Sequence, residues 1–280
     1  MSVMFHHASR VPTVLPLVAV LWGLAVQAAA ADLQPKTVAA FDRYVKLTET
    51  GIDAPGGKAL WIDTVPDPRA KEIGELLRAG NVVVERLLTK DGARDIDIPN
   101  GLVHHWVGTV FVPGARLQDA VALLQDYDRH AEVYAPAVQR SKRLSQDGDR
   151  FTAFLRFYQK KVIAVVVNSE HEAVFVRRAP GEVRSRIWST RIAEVEGPGT
   201  PAEREKPVGR DGGYLWRLNT YWRFVERDGG VYIQCESVTL TRSIPIGLGW
   251  LVGPFVTSVP RESLEFTLDT TRKTLQKPSR

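Results

Sequence analysis

The sequence predicts an α+β domain in which a curved antiparallel β-sheet is wrapped around a long C-terminal helix. Two observations support this fold class. Most of the chain from residue 81 to residue 243 consists of short runs rich in β-branched and aromatic residues, separated by turn-forming segments. The last stretch of the chain is amphipathic with helical periodicity. Because consecutive hairpin strands pair antiparallel, we expect the helices to gather on one side of the sheet.

Residues 1–31 form the first segment and have the three parts of a secretory leader. Arg10 is the only formal charge in the opening stretch, and an apolar run of about 16 residues follows at 11–26. That run is shorter than the about 20 residues that span a bilayer, and small side chains favour cleavage after Ala30 or Ala31. The sequence therefore predicts a signal peptide and an exported domain, periplasmic or extracellular. An uncleaved membrane anchor is the alternative.

Composition narrows the classes of partner. The chain has 37 Lys and Arg against 32 Asp and Glu, a net charge of +5 over 280 residues. No block of about five or six basic residues is present, which argues against a nucleic-acid partner. Cys235 is the only cysteine, so it forms neither an intramolecular disulfide nor a cysteine-rich metal site. The fold must therefore be held by its hydrophobic core.

Two helices are predicted after the leader. Residues 36–52 carry Val38 and Phe41 near one helical face, with charged residues between the apolar ones. A second, shorter helix is predicted over 69–79, before a Gly-Asn pair that is typical of a helix end. We expect these helices to form an N-terminal segment, residues 32–80, that packs on the main domain.

The main domain begins with strands at 81–89 and 102–112, which we expect to pair. Residues 113–136 start with Pro-Gly and then repeat apolar residues at helical spacing, which predicts a helix broken near Asp126. Five more strands are predicted at 139–144, 150–157, 161–168, 172–178 and 184–194. This assignment places His171 in a turn between two strands.

The remaining elements complete the predicted sheet. Residues 196–213 are polar and rich in Gly and Pro, which predicts a long exposed loop. A hairpin then follows, because Arg227-Asp228-Gly229-Gly230 joins two strand-like runs at 214–226 and 231–243. Residues 261–277 set leucines on one stripe and predict the final helix. The apolar, glycine-punctuated stretch at 244–256 is either a gate to a cavity or a corner that plugs one end of the sheet.

This order of elements resembles that of the START-like superfamily, also called the polyketide cyclase and lipid-transfer or SRPBCC superfamily, whose fold is the helix-grip. One half of the resemblance is the segment GTVFVPGARLQDAVALLQDYDRHAEVYAPAVQRSKRL. The other is the hairpin LWRLNTYWRFVERDGGVYIQCESVTLTRSIP with the helix that follows it. The resemblance covers residues 81–276 and leaves 277–280 as a tail. It implies an apolar cavity between the sheet and the C-terminal helix, which holds lipids, sterols, quinones or polyketides in relatives.

Large and charged residues in the strand runs and in the segment at 244–256 are the candidates for lining such a cavity. Aromatic residues at alternating strand positions face either a ligand or the packed core. A charged residue that faced a closed cavity would need a partner, such as a ligand carboxylate or phosphate, whereas outward ion pairs across strands are the alternative. The candidate ligand-binding residues are Arg156, Tyr158, Trp188, Trp222, Phe224, Glu236, Trp250 and Phe255.

Motifs of the best-known enzyme classes are missing from the sequence. It contains no GxSxG elbow, no P-loop and no GxGxxG after a strand. His104 and His105 are adjacent in a strand and point to opposite faces, so they do not chelate one metal together. We therefore expect no catalytic residues, no metal and no cofactor.

Three functions follow from these observations. The leading one is an exported binding protein for a lipid or another apolar small molecule, with transient membrane contact through the segment at 244–256. The second is a cyclase- or hydrolase-type enzyme that uses a cavity acid/base pair, such as Glu236 with a nearby Arg or His. The third is a protein-interaction module that uses the loop at 196–213 or the edge of the sheet.

Overall fold

The computed structural model describes residues 31–161, 163–244, 247 and 258–277. Five α-helices occur in these ranges, and each overlaps a segment predicted to be helical, although the first begins one residue and the last two residues before the predicted start. They are α1 (Pro35–Ile52), α2 (Arg69–Arg78), α3 (Leu117–Gln125), α4 (His130–Val133) and α5 (Val259–Leu275). Asp126 and the short 3-10 turn Tyr127–Arg129 separate α3 from α4, so the helical stretch is interrupted near Asp126, as predicted.

Thirteen strands make up the β-structure of the described residues. The long ones are β5 (Gly101–Pro113), β6 (Val138–Asp147), β7 (Arg150–Lys160), β8 (Ala164–Ala179), β9 (Glu182–Glu196), β12 (Arg217–Arg227) and β13 (Gly230–Arg242). The short ones are β1 (Ala31–Asp32), β2 (Val83–Arg86), β3 (Lys90–Asp91), β4 (Arg94–Asp95), β10 (Arg204–Glu205) and β11 (Arg210–Asp211). The two strands predicted first, now β2 and β5, do pair.

One nine-stranded antiparallel sheet dominates the molecule. Its order is β2-β5-β13-β12-β9-β8-β7-β6, and β10 adds to β9 away from this path. Tight hairpins connect β6 to β7, β8 to β9, and β12 to β13, and in the last of these Arg227 stands opposite Gly230 as the sequence predicted. The hairpins make their own strand pairs antiparallel, and the pairs that join distant strands, β5 with β13 and β9 with β12, are antiparallel as well.

Strand β8 is longer than the sequence predicts. Two strands with His171 in a turn between them were predicted, but Ala164–Ala179 is one continuous strand of 16 residues. The polar run around His171 was misleading, although it contains neither Gly nor Pro. The polar run fits a strand because successive side chains point to opposite faces: Ser169 and His171 are buried, while Glu170 and Glu172 are partly exposed. A register shift opposite β9 occurs between Glu170 and His171.

Helices cover both faces of the sheet, whereas the order of elements predicts them on one side. On the inner face, Leu117 and Leu124 of α3 and Leu264 and Leu268 of α5 pack in the largest core cluster. On the outer face, α1 packs through Phe41 and Tyr44 and α2 through Ile73 and Leu77. The central strands carry apolar residues at both odd and even positions, and such strands are buried on both faces.

The segment at 196–213 is only partly the exposed loop that was predicted. β10 pairs with β9, and β11 pairs with β1. Asp211 is 2% exposed and accepts hydrogen bonds from the Gly213 amide and the Trp216 indole. The ends of this segment are therefore tied into the fold.

The long helix α5 lies against β5 and β13 in the sheet, and this arrangement confirms the predicted helix-grip fold. Gly108 of β5 permits the contact, because a Cβ there would lie 3.1 Å from Leu264 Cγ and would overlap Leu268 Cδ1. Within the described ranges, no helix is both long enough and apolar enough to cross a membrane.

Candidate functional site

A cavity of about 260 Å³ lies between the inner face of the sheet and α5. We call it the inner cavity. Strands β7, β8, β9, β12 and β13 form its floor, while α5 and the segment from α3 to α4 close it on the other side. Its apolar lining residues are Leu124, Ala137, Val138, Leu155, Phe157, Val165, Val167, Ile187, Leu215, Leu218, Trp222, Val259, Pro260 and Leu264.

Two periodicities bring these side chains together. On β7 the residues Leu155, Phe157 and Gln159 line the inner cavity, and their spacing of two is that of one strand face. On α5 the residues Ser263 and Thr267 are four apart and therefore share one helical face. The Gln159 amide donates to Ser263 Oγ over 2.9 Å. This bond joins the two walls of the cavity.

Hydroxyl groups add a polar side to the cavity. They come from the central strands and from α5, and the residues are Thr220, Ser237, Thr239, Thr241, Ser263 and Thr267. The Thr239 hydroxyl is buried and has no hydrogen-bond partner among the described residues. A mostly apolar pocket with a few polar groups is the usual composition of a small-molecule site.

His171 is the most informative polar residue of the lining. It is 2% exposed, and its Nε2 lies 2.8 Å from Ser169 Oγ. The single hydroxyl proton of Ser169 is donated to the Leu155 carbonyl, so His171 Nε2–H must donate to Ser169. Nδ1 is then the lone-pair acceptor, and it has no partner among the described residues. Burial lowers the pKa of His171 to about 4, so the imidazole is neutral at pH 7.

Two tyrosines and one histidine lie at the end of the cavity near α3 and α4. Tyr134 is hydrogen-bonded to Thr271 of α5 over 3.0 Å, and burial raises its pKa to about 12. The Tyr127 hydroxyl is buried without a partner in the described part of the chain, and burial raises its pKa. Nε2 of His130 lies 3.1 Å from the Leu124 carbonyl. All three are neutral at pH 7, so this end of the cavity carries no charge.

Cys235 also lines the inner cavity. It is fully buried, and burial raises the pKa of its thiol well above the usual value. The group therefore stays protonated and is a poor nucleophile. Among the described residues, no group of three or more His, Cys, Asp and Glu side chains could hold a metal ion.

The structure separates the aromatic residues predicted to bind ligand. Trp222 lines the inner cavity. Phe224 is fully buried in the core and stacks on Trp222 with 6.1 Å between ring centroids. Trp188 lines a different cavity on the outer face, and Tyr158 is half-buried and lines neither cavity. Trp250 and Phe255 lie outside the described residues.

The two charged candidates lie on the outer face rather than in the inner cavity. Arg156 is 5% exposed and makes a bidentate ion pair with Glu203 at 2.8 and 3.0 Å. Glu236 follows the inward-facing Cys235 on β13, so alternation turns it outward. Its Oε1 lies 2.9 Å from Nε2 of His105. Arg156 and Glu236 therefore both have protein partners on the outer face, which is the alternative that the sequence left open.

Glu236 belongs to a buried polar network beneath α1. The Tyr44 hydroxyl lies 3.0 Å from His105 Nδ1, and the Thr89 amide donates to the same hydroxyl at 2.8 Å. Arg223 lies 3.9 Å from Glu236 on the other side. These contacts connect α1 to the centre of the sheet. They do not place an acid/base pair in the inner cavity.

Most of the residues that line the inner cavity were not predicted from the sequence. His171 was assigned to a turn, and Tyr134 and Cys235 were not proposed as site residues. No apolar/polar alternation marks His171 in the sequence, because residues 168–172 are all polar; the only available signal is the lack of Gly and Pro between Val165 and Phe175, which favours one continuous strand.

Comparison with family models finds no match, and comparison with curated proteins finds none either. The solved structures that resemble this chain include a STAR-related lipid transfer protein from Xanthomonas axonopodis, with 17% identity over 69% of this chain and 99% of that one and a TM-score of 0.45. The Zhui aromatase/cyclase from Streptomyces sp. R1128 is 14% identical over 64% of this chain and 97% of that one, with a TM-score of 0.42. The human StarD13 lipid transfer and protein localization domain is 7% identical over 77% of this chain and 99% of that one, with a TM-score of 0.43. These likenesses assign no substrate or activity to the chain.

Proposed function

We propose that this protein is an exported binding protein that holds a hydrophobic small molecule or lipid in the inner cavity. The observation that carries the proposal is the cavity itself, whose floor is the inner face of the sheet and whose roof is α5. Its volume of about 260 Å³ is close to the lower end of the range for ligand pockets, about 300 Å³. That size favours a compact ligand or a single chain over a bulky one.

The chemistry of the lining narrows the ligand class. Most of the surface is aliphatic and aromatic, and the titratable groups at its α3–α4 end are neutral, so a charged ligand group would be buried there without a counter-ion. His171 Nδ1 is a hydrogen-bond acceptor without a partner among the described residues. A ligand hydroxyl could donate to it and relieve the cost of an unpaired buried acceptor. We expect an apolar ligand that carries one or a few hydroxyl or carbonyl groups.

The sequence supports the proposed location. Residues 1–31 have the pattern of a cleavable leader, and a single cysteine, buried at position 235, is compatible with an oxidising compartment. N-terminal sequencing of the protein recovered from outside the cytoplasm of its own host checks this part. A new N-terminus at Ala31 or Asp32 is expected, whereas an intact N-terminus would contradict export by cleavage.

The binding proposal is tested by native mass spectrometry and organic extraction of the purified protein, with two tryptophan variants. Leu218→Trp places a larger side chain in the inner cavity, whose lining includes Leu218. Leu88→Trp makes the same change at a side chain that is 58% exposed and does not line the cavity. We expect a co-purified apolar molecule in the wild type and in Leu88→Trp, and a reduced amount in Leu218→Trp. Equal amounts in all three, or none in the wild type, would contradict the proposal.

A further inference from the structure

A second cavity, of about 490 Å³, lies on the outer face of the sheet. We call it the outer cavity. The C-terminal end of α1 borders it on one side, and strands β7, β8, β9 and β12 form its floor. Five of its lining residues are arginines: Arg150, Arg178, Arg184, Arg186 and Arg223. This concentration of one charge contrasts with the neutral inner cavity.

The register of the sheet places these arginines side by side. Arg184 of β9 stands directly opposite Arg223 of β12. Arg150 of β7 and Arg186 of β9 are both opposite Val174 of β8, one from each side. Like charges directly opposite each other on neighbouring strands destabilise a sheet. An anion bound above these strands would reverse that effect.

Carboxylates of the protein compensate three of the five arginines. The pairs are Arg184 with Glu182, Arg186 with Asp53, and Arg223 with Glu236 at 3.9 Å. Arg150 and Arg178 make no ion pair with any residue that the structure describes. Both are exposed. The outer cavity therefore keeps two guanidinium groups that are available to a ligand.

Arg223 is also incompletely satisfied. It is 8% exposed, and its Nη1 contacts the carbonyls of Lys58 and Ala59 at 3.3 and 3.5 Å. Its Nε has no partner in the described ranges. Burial, together with the charge of Arg184, lowers the pKa of Arg223. A guanidinium presents five N–H donors, so this buried group has capacity for a further acceptor.

The outer cavity has an apolar part as well. Val174 and Val176 line it from β8, and Val176 is 44% exposed. Trp188 of β9 and Ile52 of α1 also line it. Guanidinium groups bind carboxylate and phosphate oxygens in a bidentate manner. Valine and tryptophan side chains provide an apolar surface beside those groups.

We infer that the outer cavity is a second binding site, for a molecule that carries a phosphate or carboxylate group on an apolar or planar body. Arg150 and Arg178 bind the anionic group, and Val176 and Trp188 contact the body. The site lies on the opposite face of the sheet from the inner cavity, with Trp222 in the lining of both, and it selects a charged ligand where the inner cavity selects a neutral one.

Calorimetric titration with n-octyl phosphate tests this inference on four forms of the protein. They are the wild type, the double variant Arg150→Gln/Arg178→Gln, the control Arg78→Gln/Arg94→Gln, and Leu218→Trp. The control removes the same charge from exposed arginines outside the cavity. We expect the first double variant to bind about tenfold more weakly than the wild type, and the control and Leu218→Trp to bind as the wild type does.

Other outcomes would overturn the inference. Equal affinity of both double variants for octyl phosphate would show that Arg150 and Arg178 do not bind the anionic group. Loss of binding in Leu218→Trp would place octyl phosphate in the inner cavity. Inorganic phosphate is expected to bind more weakly than octyl phosphate, and equal binding would remove the apolar contact. Vesicles of phosphatidylglycerol and of phosphatidylcholine show whether the anionic group belongs to a membrane lipid or to a soluble molecule. Binding only to the former, lost in the Arg150/Arg178 variant, assigns a lipid headgroup, whereas octyl phosphate binding without vesicle binding assigns a soluble anion.

Discussion

Replacing Gly108 by alanine is expected to push α5 away from the sheet. A Cβ at this position would lie 3.1 and 3.2 Å from two carbons of Leu264 and would overlap Leu268 Cδ1. Carbon atoms normally approach to about 3.5–4.0 Å, so Leu264 must retreat by roughly 0.5 Å and Leu268 by more. Leu268 is fully buried, and overpacking a closed core of this kind costs about 1–3 kcal/mol.

Urea unfolding of Gly108→Ala measures this cost directly. We expect the free energy of unfolding to fall by about 1–3 kcal/mol, with a melting temperature lower by about 2–4 °C for each kcal/mol. Gly51→Ala is the matched control, because a Cβ at Gly51 meets nothing within 4 Å. The control is expected to be neutral or slightly stabilising, since alanine is a better helix former than glycine.

A double-mutant cycle with Leu268→Ala identifies the cause. Leu268→Ala alone should cost about 2–5 kcal/mol because it leaves a cavity. In the Gly108→Ala background the new methyl group occupies part of that cavity. The double variant should therefore lose less unfolding free energy than the two single variants lose together. Strict additivity, or a Gly108→Ala protein as stable as the wild type, would refute the claim that this glycine sets the distance between α5 and the sheet.

Two further predictions concern pH and the segment after β9. Burial lowers the pKa of His104, His130 and His171 to about 4. The unfolded chain therefore binds more protons below about pH 6.5, and each histidine should remove up to about 1.4 kcal/mol of unfolding free energy per pH unit as the pH falls toward 4. Urea unfolding at pH 7 and 4.5 checks this. Arg156→Gln should release Glu203 and speed proteolysis of residues 197–204, as measured by digestion and mass spectrometry.

The pH prediction and the proteolysis prediction each have a control variant. His171→Gln should remove about one third of the pH dependence that the three neutral histidines contribute, and an unchanged slope would show that His171 is not the buried base described above. Arg204→Gln removes the ion pair of an arginine whose side chain is 74% exposed. If it accelerates cleavage as much as Arg156→Gln does, the buried Arg156–Glu203 pair does not hold the segment.

Helices were predictable because their signal is local. The spacing of Leu264 and Leu268 predicts the buried face of α5, and Pro-Gly at 113–114 predicts the start of the helical stretch. The hairpin after β12 was also predictable, since Asp228 and Gly229 have the positive φ angles that such tight turns require.

The faces of the strands could not be predicted in the same way. Cys235 and Glu236 are neighbours on β13, and nothing local states which one faces α5. That choice depends on distant residues: His105 of β5 pairs with Glu236, and Tyr44 of α1 lies over His105 on the outer face. Arg156 is a similar case, because its partner Glu203 is 47 residues away in the sequence. Trp222 faces the inner cavity, but the sequence did not distinguish it from the core residue Phe224.

A crystal structure of the protein, purified from its own compartment without delipidation, tests most directly whether the inner cavity holds a ligand. We predict an apolar molecule in the inner cavity, in contact with Leu155, Val167 and Leu264, with an oxygen near His171 Nδ1. An inner cavity filled by the protein's own side chains, in a structure that holds no ligand between the sheet and α5, would contradict it.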